Sequence, residues 1–142
     1  MGPDEYWDYI VKVRGREHYE RYRYPEALHQ RMEEMVKFAQ AQGTEVIFIV
    51  VPHHADFQKR VREFGLVDDY LQFKRDMSQL GARVIDYDYV NDITVEKSNF
   101  RDPLHYNEEI GKLIANEVFH GPLVKGRLLD AGWAKECAQF LF

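Results

Sequence analysis

The chain has 142 residues, of which 45% are hydrophobic, 14% aromatic and 30% charged, with a formal net charge of −5. This length and balance set aside a disordered or low-complexity protein and leave one folded domain able to bury a core. The acidic balance also sets aside a chain that lives on nucleic-acid phosphates, which needs a basic face.

The basic cluster Arg14, Arg16, Arg21 and Arg23 is interleaved with Glu17, Glu20 and tyrosines and reads as a solvated face. Residues 1–24 form an aromatic, charged N-terminal segment that carries Trp7, Tyr6, Tyr9, Tyr19, Tyr22 and Tyr24. These rings pack the segment on the domain or form a partner interface, with a carbohydrate groove as the alternative. The segment has weak helical character, and residues 6–13 are the best place for an extra strand.

Pro25 suits the first turn of a helix. Leu28, Met32, Met35, Val36 and Ala39 follow at helical spacing, and Gly43 ends that helix. The run Val46–Val51, stopped by Pro52, is short, continuous and β-branched, as in a strand buried on both faces of a parallel sheet. Phe57, Val61 and Phe64 begin a helical stretch, Gly65 interrupts it, and Leu66, Tyr70, Phe73, Met77 and Leu80 resume it up to Gly81. Residues 83–87 read as a second strand, which completes a βαβ unit. After a loop from about 88 to 106, Asn107 caps a helix carrying Ile110, Leu113, Ile114 and Val118. Gly121-Pro122 breaks the chain, and a C-terminal helical extension over 123–142, with its helix at about 126–140, closes it.

Two strands make a poor parallel core. The domain is therefore expected to be incomplete, completed by another chain, or in possession of a further strand. The lone Cys137 excludes an intrachain disulfide and reads as a small apolar residue of the last helix.

The densest chemistry lies in Asp102-Pro103-Leu104-His105-Tyr106-Asn107. A general base needs a histidine held in one tautomer, and a carboxylate on Nδ1 holds it while Nε2 stays free. Three residues of separation in a proline-stiffened loop bring Asp102 and His105 within reach of each other. His53 and His54 follow Pro52 at a strand end, where parallel sheets present ligands. Adjacent histidines point apart, so at most one faces a site. Substrate contact is the functional reading for them, and a zinc-type reading would recruit Asp102 or Asp56. His18, His29 and His120 read as surface residues.

The block 102–107, followed by Gly111 and Ala115 within an apolar helix, resembles the last conserved block of the SGNH (GDSL-type) hydrolases. The order of elements over about 20–120, and Val50-Val-Pro-His-His-Ala55, are similar to a bacterial, often membrane-anchored subgroup of that family. The resemblance implies an α/β, three-layer parallel-sheet (flavodoxin-like) fold present as a partial domain, with 25–122 as its C-terminal portion. It implies ester chemistry: a serine attacks an acyl carbonyl, a histidine shuttles the proton, and backbone N–H groups with an asparagine hold the oxyanion. By motif position His105 is the base and Asp102 its orienter; His53, His54 and Asn107 are the expected substrate contacts, and no cofactor or metal is implied.

The chain departs from the family in lacking a Gly-Asp-Ser-type nucleophile turn. Its serines are Ser78, in a helix, and Ser98, in a polar loop, and Asn91 and Asn99 are in the wrong order for the oxyanion hole. The expectation is thus the C-terminal, acid–base portion of an esterase or O-acyltransferase, inactive alone, acting on an acyl ester or saccharide. The alternatives are a non-catalytic protein- or saccharide-binding module and a homodimer that pairs its sheets. No apolar run reaches the ~18 residues of a membrane span. The acidic first residues do not read as a signal peptide, which leaves a cytoplasmic protein or the soluble part of an exported or anchored one.

Overall fold

The computed structural model describes residues 1–133. Its described part is mixed α/β. The chain opens with helix α1 (Pro3–Tyr9), a π-helical stretch (Ile10–Arg14) and α2 (Gly15–Tyr19). The strand sought at 6–13 is therefore not there: those residues are helical. Trp7, Ile10 and Gly15 fall at helical spacing and face inward, a period that charged neighbours obscure. Gly15 serves close packing, since a Cβ there would lie 3.3 Å from the Arg60 side chain.

Helix α3 (Glu26–Ala41) leads through Gly43 to strand β1 (Ile47–Val50). Gly43 has φ +72°, a left-handed conformation that suits a helix C-terminus and that side chains resist. Helices α4 (Ala55–Glu63) and α5 (Val67–Ser78) then cross over to β2 (Arg83–Asp86), with the break between them at Gly65 as the sequence indicates. Strands β1 and β2 are parallel, Ile47 opposite Arg83 and Val50 opposite Asp86. A short hairpin, β3 (Phe100–Asp102) and β4 (His105–Tyr106), precedes α6 (Glu108–His120). Strand β5 (Arg127–Leu128) adds antiparallel to β2, giving the order β1-β2-β5. It occupies the start of the helix expected at 126–140; the rest of that helix, with Cys137, lies outside the described residues.

Alternation along β1 and β2 divides the core in two. Val84, with Phe48 and Val50, meets Met32 of α3 and Phe73 and Met77 of α5. Ile85, with Ile47, meets Ile110, Ile114 and Val118 of α6 together with Trp7 of α1. Beside the α5-side cluster lies a group of buried charges. Lys74 of α5 and Asp86 of β2 are both fully buried and form an ion pair, and the second Asp86 oxygen accepts from Arg127 Nε at 2.9 Å. The sign pattern satisfies each buried charge, the condition for tolerating them at all. It fastens the two-residue β5 to the sheet. Glu117 reinforces the same junction by accepting from the backbone N–H groups of Lys125 and Gly126, both at 2.9 Å. Position 126 admits only glycine, because a Cβ would come within 2.6 Å of the Tyr87 ring.

On its outer side β1 has no strand partner among the described residues, and Ile49 and Val51 are exposed. No described helix is long and apolar enough to cross a membrane.

Candidate functional site: a histidine–aspartate pair on a hairpin

The hairpin β3–β4 is held at every corner. Phe100 is buried in the α6-side core and its ring meets His54 edge-on at 5.5 Å. The turn residue Pro103 is fully buried, and its carbonyl accepts from the His54 backbone N–H at 2.9 Å. At the open end, the Asn107 N–H donates to the Asn99 carbonyl at 2.8 Å. The Asn107 side chain is used twice more: its oxygen caps α6 through the Ile110 N–H at 3.0 Å, and its amide donates to the Ser98 carbonyl at 2.9 Å. Asn107 was expected among the substrate contacts; its placement makes it the joint between hairpin and helix.

On this frame Asp102 and His105 stand directly opposite each other. The His105 Nδ1 lies 2.9 and 2.8 Å from the two Asp102 carboxylate oxygens. One of those oxygens also accepts from the Leu104 N–H at 2.9 Å, so the carboxylate is clamped by its own turn before the imidazole arrives. A carboxylate on Nδ1 keeps the proton there and leaves Nε2 as the acceptor. The carboxylate is mostly buried while the imidazole is 71% exposed. The pair is therefore an oriented base presented to solvent.

Neither serine hydroxyl completes it. Ser98 Oγ donates to Glu96 at 2.8 Å and Ser78 Oγ to the Arg75 carbonyl at 2.6 Å.

His53 and His54 point apart, as adjacent residues of an extended segment must. His54 is buried between Trp7 and Phe100, and its Nδ1 accepts from the Asp56 N–H at 3.1 Å as the cap of α4. Burial lowers its pKa; the Asp56 carboxylate and the nearby Val95 backbone offset this only in part. His54 is thus a neutral structural ring, and Asp56 turns its own charge to Lys59 and the Trp7 indole.

His53 turns the other way and meets Asp88, which sequence reading did not single out. Its backbone N–H and its Nδ1 lie 2.9 and 3.2 Å from one Asp88 oxygen, and Gln58 Nε2 donates to that oxygen at 3.0 Å. Burial alone would lower the His53 pKa and raise that of Asp88. Their mutual hydrogen bond and charge prevail in both cases, so His53 is raised and Asp88 lowered. Both residues border an apolar cavity between α2, α4 and α5. The signal for Asp88 was weak, one acid two residues past a strand end and 35 residues from its partner. Lys74 gave a clearer one, a lysine on the same helical face as Tyr70, Phe73 and Met77.

No three histidine, cysteine, aspartate or glutamate side chains are grouped as a metal site among the described residues. No protein-family model, curated protein or solved structure matches this chain.

Proposed function

We propose that Asp102 and His105 are the acid–base half of an acyl-transfer site of the esterase or O-acyltransferase type, with the nucleophile supplied by a segment other than those described. The observation that carries this reading is the carboxylate clamped on His105 Nδ1 with the imidazole open to solvent. In such a site neutral His105 takes the hydroxyl proton of a nucleophile on Nε2 as the oxygen attacks an acyl carbonyl. The imidazolium, steadied by Asp102, then returns that proton to the departing alkoxide. The arrangement of α3 and α5 on one side of the β1–β2 pair and α6 on the other supports a three-layer, SGNH-like reading of the same chain.

Hydrolysis of p-nitrophenyl acetate tests the base without needing the missing nucleophile. The expected result is slow, single-phase turnover. It should disappear in His105→Gln, fall about ten-fold or more in Asp102→Asn, and persist in a His120→Gln control. Equal rates in the parent and His105→Gln would overturn the reading. An acyl burst traced to Ser98 would overturn the claim that the nucleophile lies elsewhere.

A second reading is favoured by one observation: β1 is apolar on both faces yet exposes Ile49 and Val51 along an open edge. In this reading the chain is a non-catalytic module that pairs its sheet with a partner or a second copy. Light scattering across a concentration series separates the two, since a purely monomeric chain removes the self-pairing form.

A further inference from the structure

We infer that the cavity between α2, α4 and α5 is a binding site for a small organic ammonium ion, a benzene-sized or branched alkyl group that carries one cationic amine. The site is independent of the Asp102–His105 reading and of the edge of β1. Its volume is about 130 Å³, and apolar cavities of about 150 Å³ hold a benzene-sized molecule. The aromatic part of its wall is Tyr19, Tyr22, Phe57, Tyr70 and Phe73. The faces of such rings are negative, so the wall receives an apolar body and also attracts a cation.

Two carboxylates, Asp69 and Asp88, border the same space. Asp69 lies in the first turn of α5, where the helix N-terminus favours the ionised form, and it is only partly exposed. It forms no ion pair among the described residues; Lys59 and Arg60 of the neighbouring α4 pair with Asp56 and Glu63 instead. On Asp88, the His53 N–H, the His53 ring and Gln58 all meet one oxygen, which leaves the other without a hydrogen bond among the described residues.

The balance of charge selects the kind of ligand. His53 pairs with Asp88. Lys74 is fully buried, lies outside the cavity lining, and is spent on Asp86 and on the Asp88 backbone carbonyl. Asp69 is therefore the charge that no cation answers. Its field reaches the wall: burial raises the Tyr22 hydroxyl pKa and Asp69 adds to it, as burial and then Asp88 do for Tyr19. Both hydroxyls stay protonated at neutral pH, and their oxygens accept from an ammonium. An anion or a neutral ligand would leave Asp69 unpaired beside an apolar wall, whereas an ammonium pairs with it while the rings take the body. His53 and Asp88 also follow β1 and β2 directly, and the carboxyl ends of parallel strands are where such folds collect ligands.

The test is an NMR titration of the intact chain with benzylammonium and with benzyl alcohol, two probes of one shape that differ in charge. Benzylammonium should give saturable amide shifts confined to about residues 19–22, 53–61 and 66–73, and benzyl alcohol should bind about ten-fold more weakly. Asp69→Asn should remove most of that preference and leave benzyl alcohol binding in place. Val61→Trp, which fills the cavity, should abolish both and leave the 102–107 signals unmoved; it separates entry into the cavity from attraction to the surface around Asp69. Nα-acetyl-lysine methylamide, which brings the same charge on a protein side chain, should bind more weakly than benzylammonium. Absence of saturable shifts, benzyl alcohol or benzoate binding as tightly as benzylammonium, a preference unchanged in Asp69→Asn, or tighter binding of the lysine amide would each overturn the assignment.

Discussion

The protein carries two histidine–aspartate pairs that use the same atoms for opposite ends. In the hairpin pair the residues are three apart, the carboxylate is held by its own turn, and the imidazole stands 71% exposed. In the sheet-end pair the residues are 35 apart, the aspartate gathers three donors, and the imidazole lies against Phe57. The 52–54 turn joins them, since His53 belongs to one and the His54 amide holds the hairpin of the other. The contrast separates orientation from burial. Either pair fixes a tautomer, but only the exposed one offers its far nitrogen freely to a reacting group, and only the half-buried one ties distant segments together.

The largest effect that sharpens the contrast is on stability. Asp88→Ala removes the acceptor shared by the His53 N–H, the His53 ring and one Gln58 N–H and should cost about 2 kcal/mol in urea denaturation. Asp102→Ala, beside a solvated partner, should cost about 1 kcal/mol or less. Equal losses would break the distinction. Next comes chemistry: His53→Gln should leave p-nitrophenyl acetate turnover unchanged, whereas His105→Gln removes it.

A smaller effect concerns pH. The folded pKa of His53 lies above its unfolded value of about 6.5. Its stabilising contribution is therefore complete below about pH 6.5 and is lost as pH rises through the folded pKa. Asp88 behaves oppositely: its contribution is present above the ordinary carboxylate pKa and fades as pH falls through its lowered value. His53 thus contributes a decline to the melting-temperature profile across the neutral range, opposite in sign to the contribution of His54, and His53→Gln should remove that declining component. The smallest effect is on reactivity. Diethyl pyrocarbonate should acylate His105 several-fold faster than His53, as read by peptide mass spectrometry.

Local signals made part of this legible. Asp102 and His105 are three residues apart around a proline, so a turn alone brings them together. The helix ending at Ala41 is bounded by Gly43, and Val46–Val51 declares a strand by continuity. Asp88 stayed hidden because its partner comes from another strand end, a meeting arranged only by the parallel β1–β2 register. The N-terminal helices show only as weak helical character because Trp7, Ile10 and Gly15 are separated by charges that dilute the period. Strand β5 was misread because two residues carry no pattern; their place is set by Arg127 reaching Asp86 and by Glu117 gathering the preceding N–H groups.

The side of β1 that has no strand partner among the described residues governs how this protein behaves as a material. Four apolar residues in a row, with no proline, charge or bulge among them, present a ready template to any extended chain. The chain's colloidal behaviour should accordingly depend on concentration more than its net charge of −5 suggests. A single charge set into that rim, Ile49→Lys, should keep concentrated samples clear, with sedimentation as the gauge.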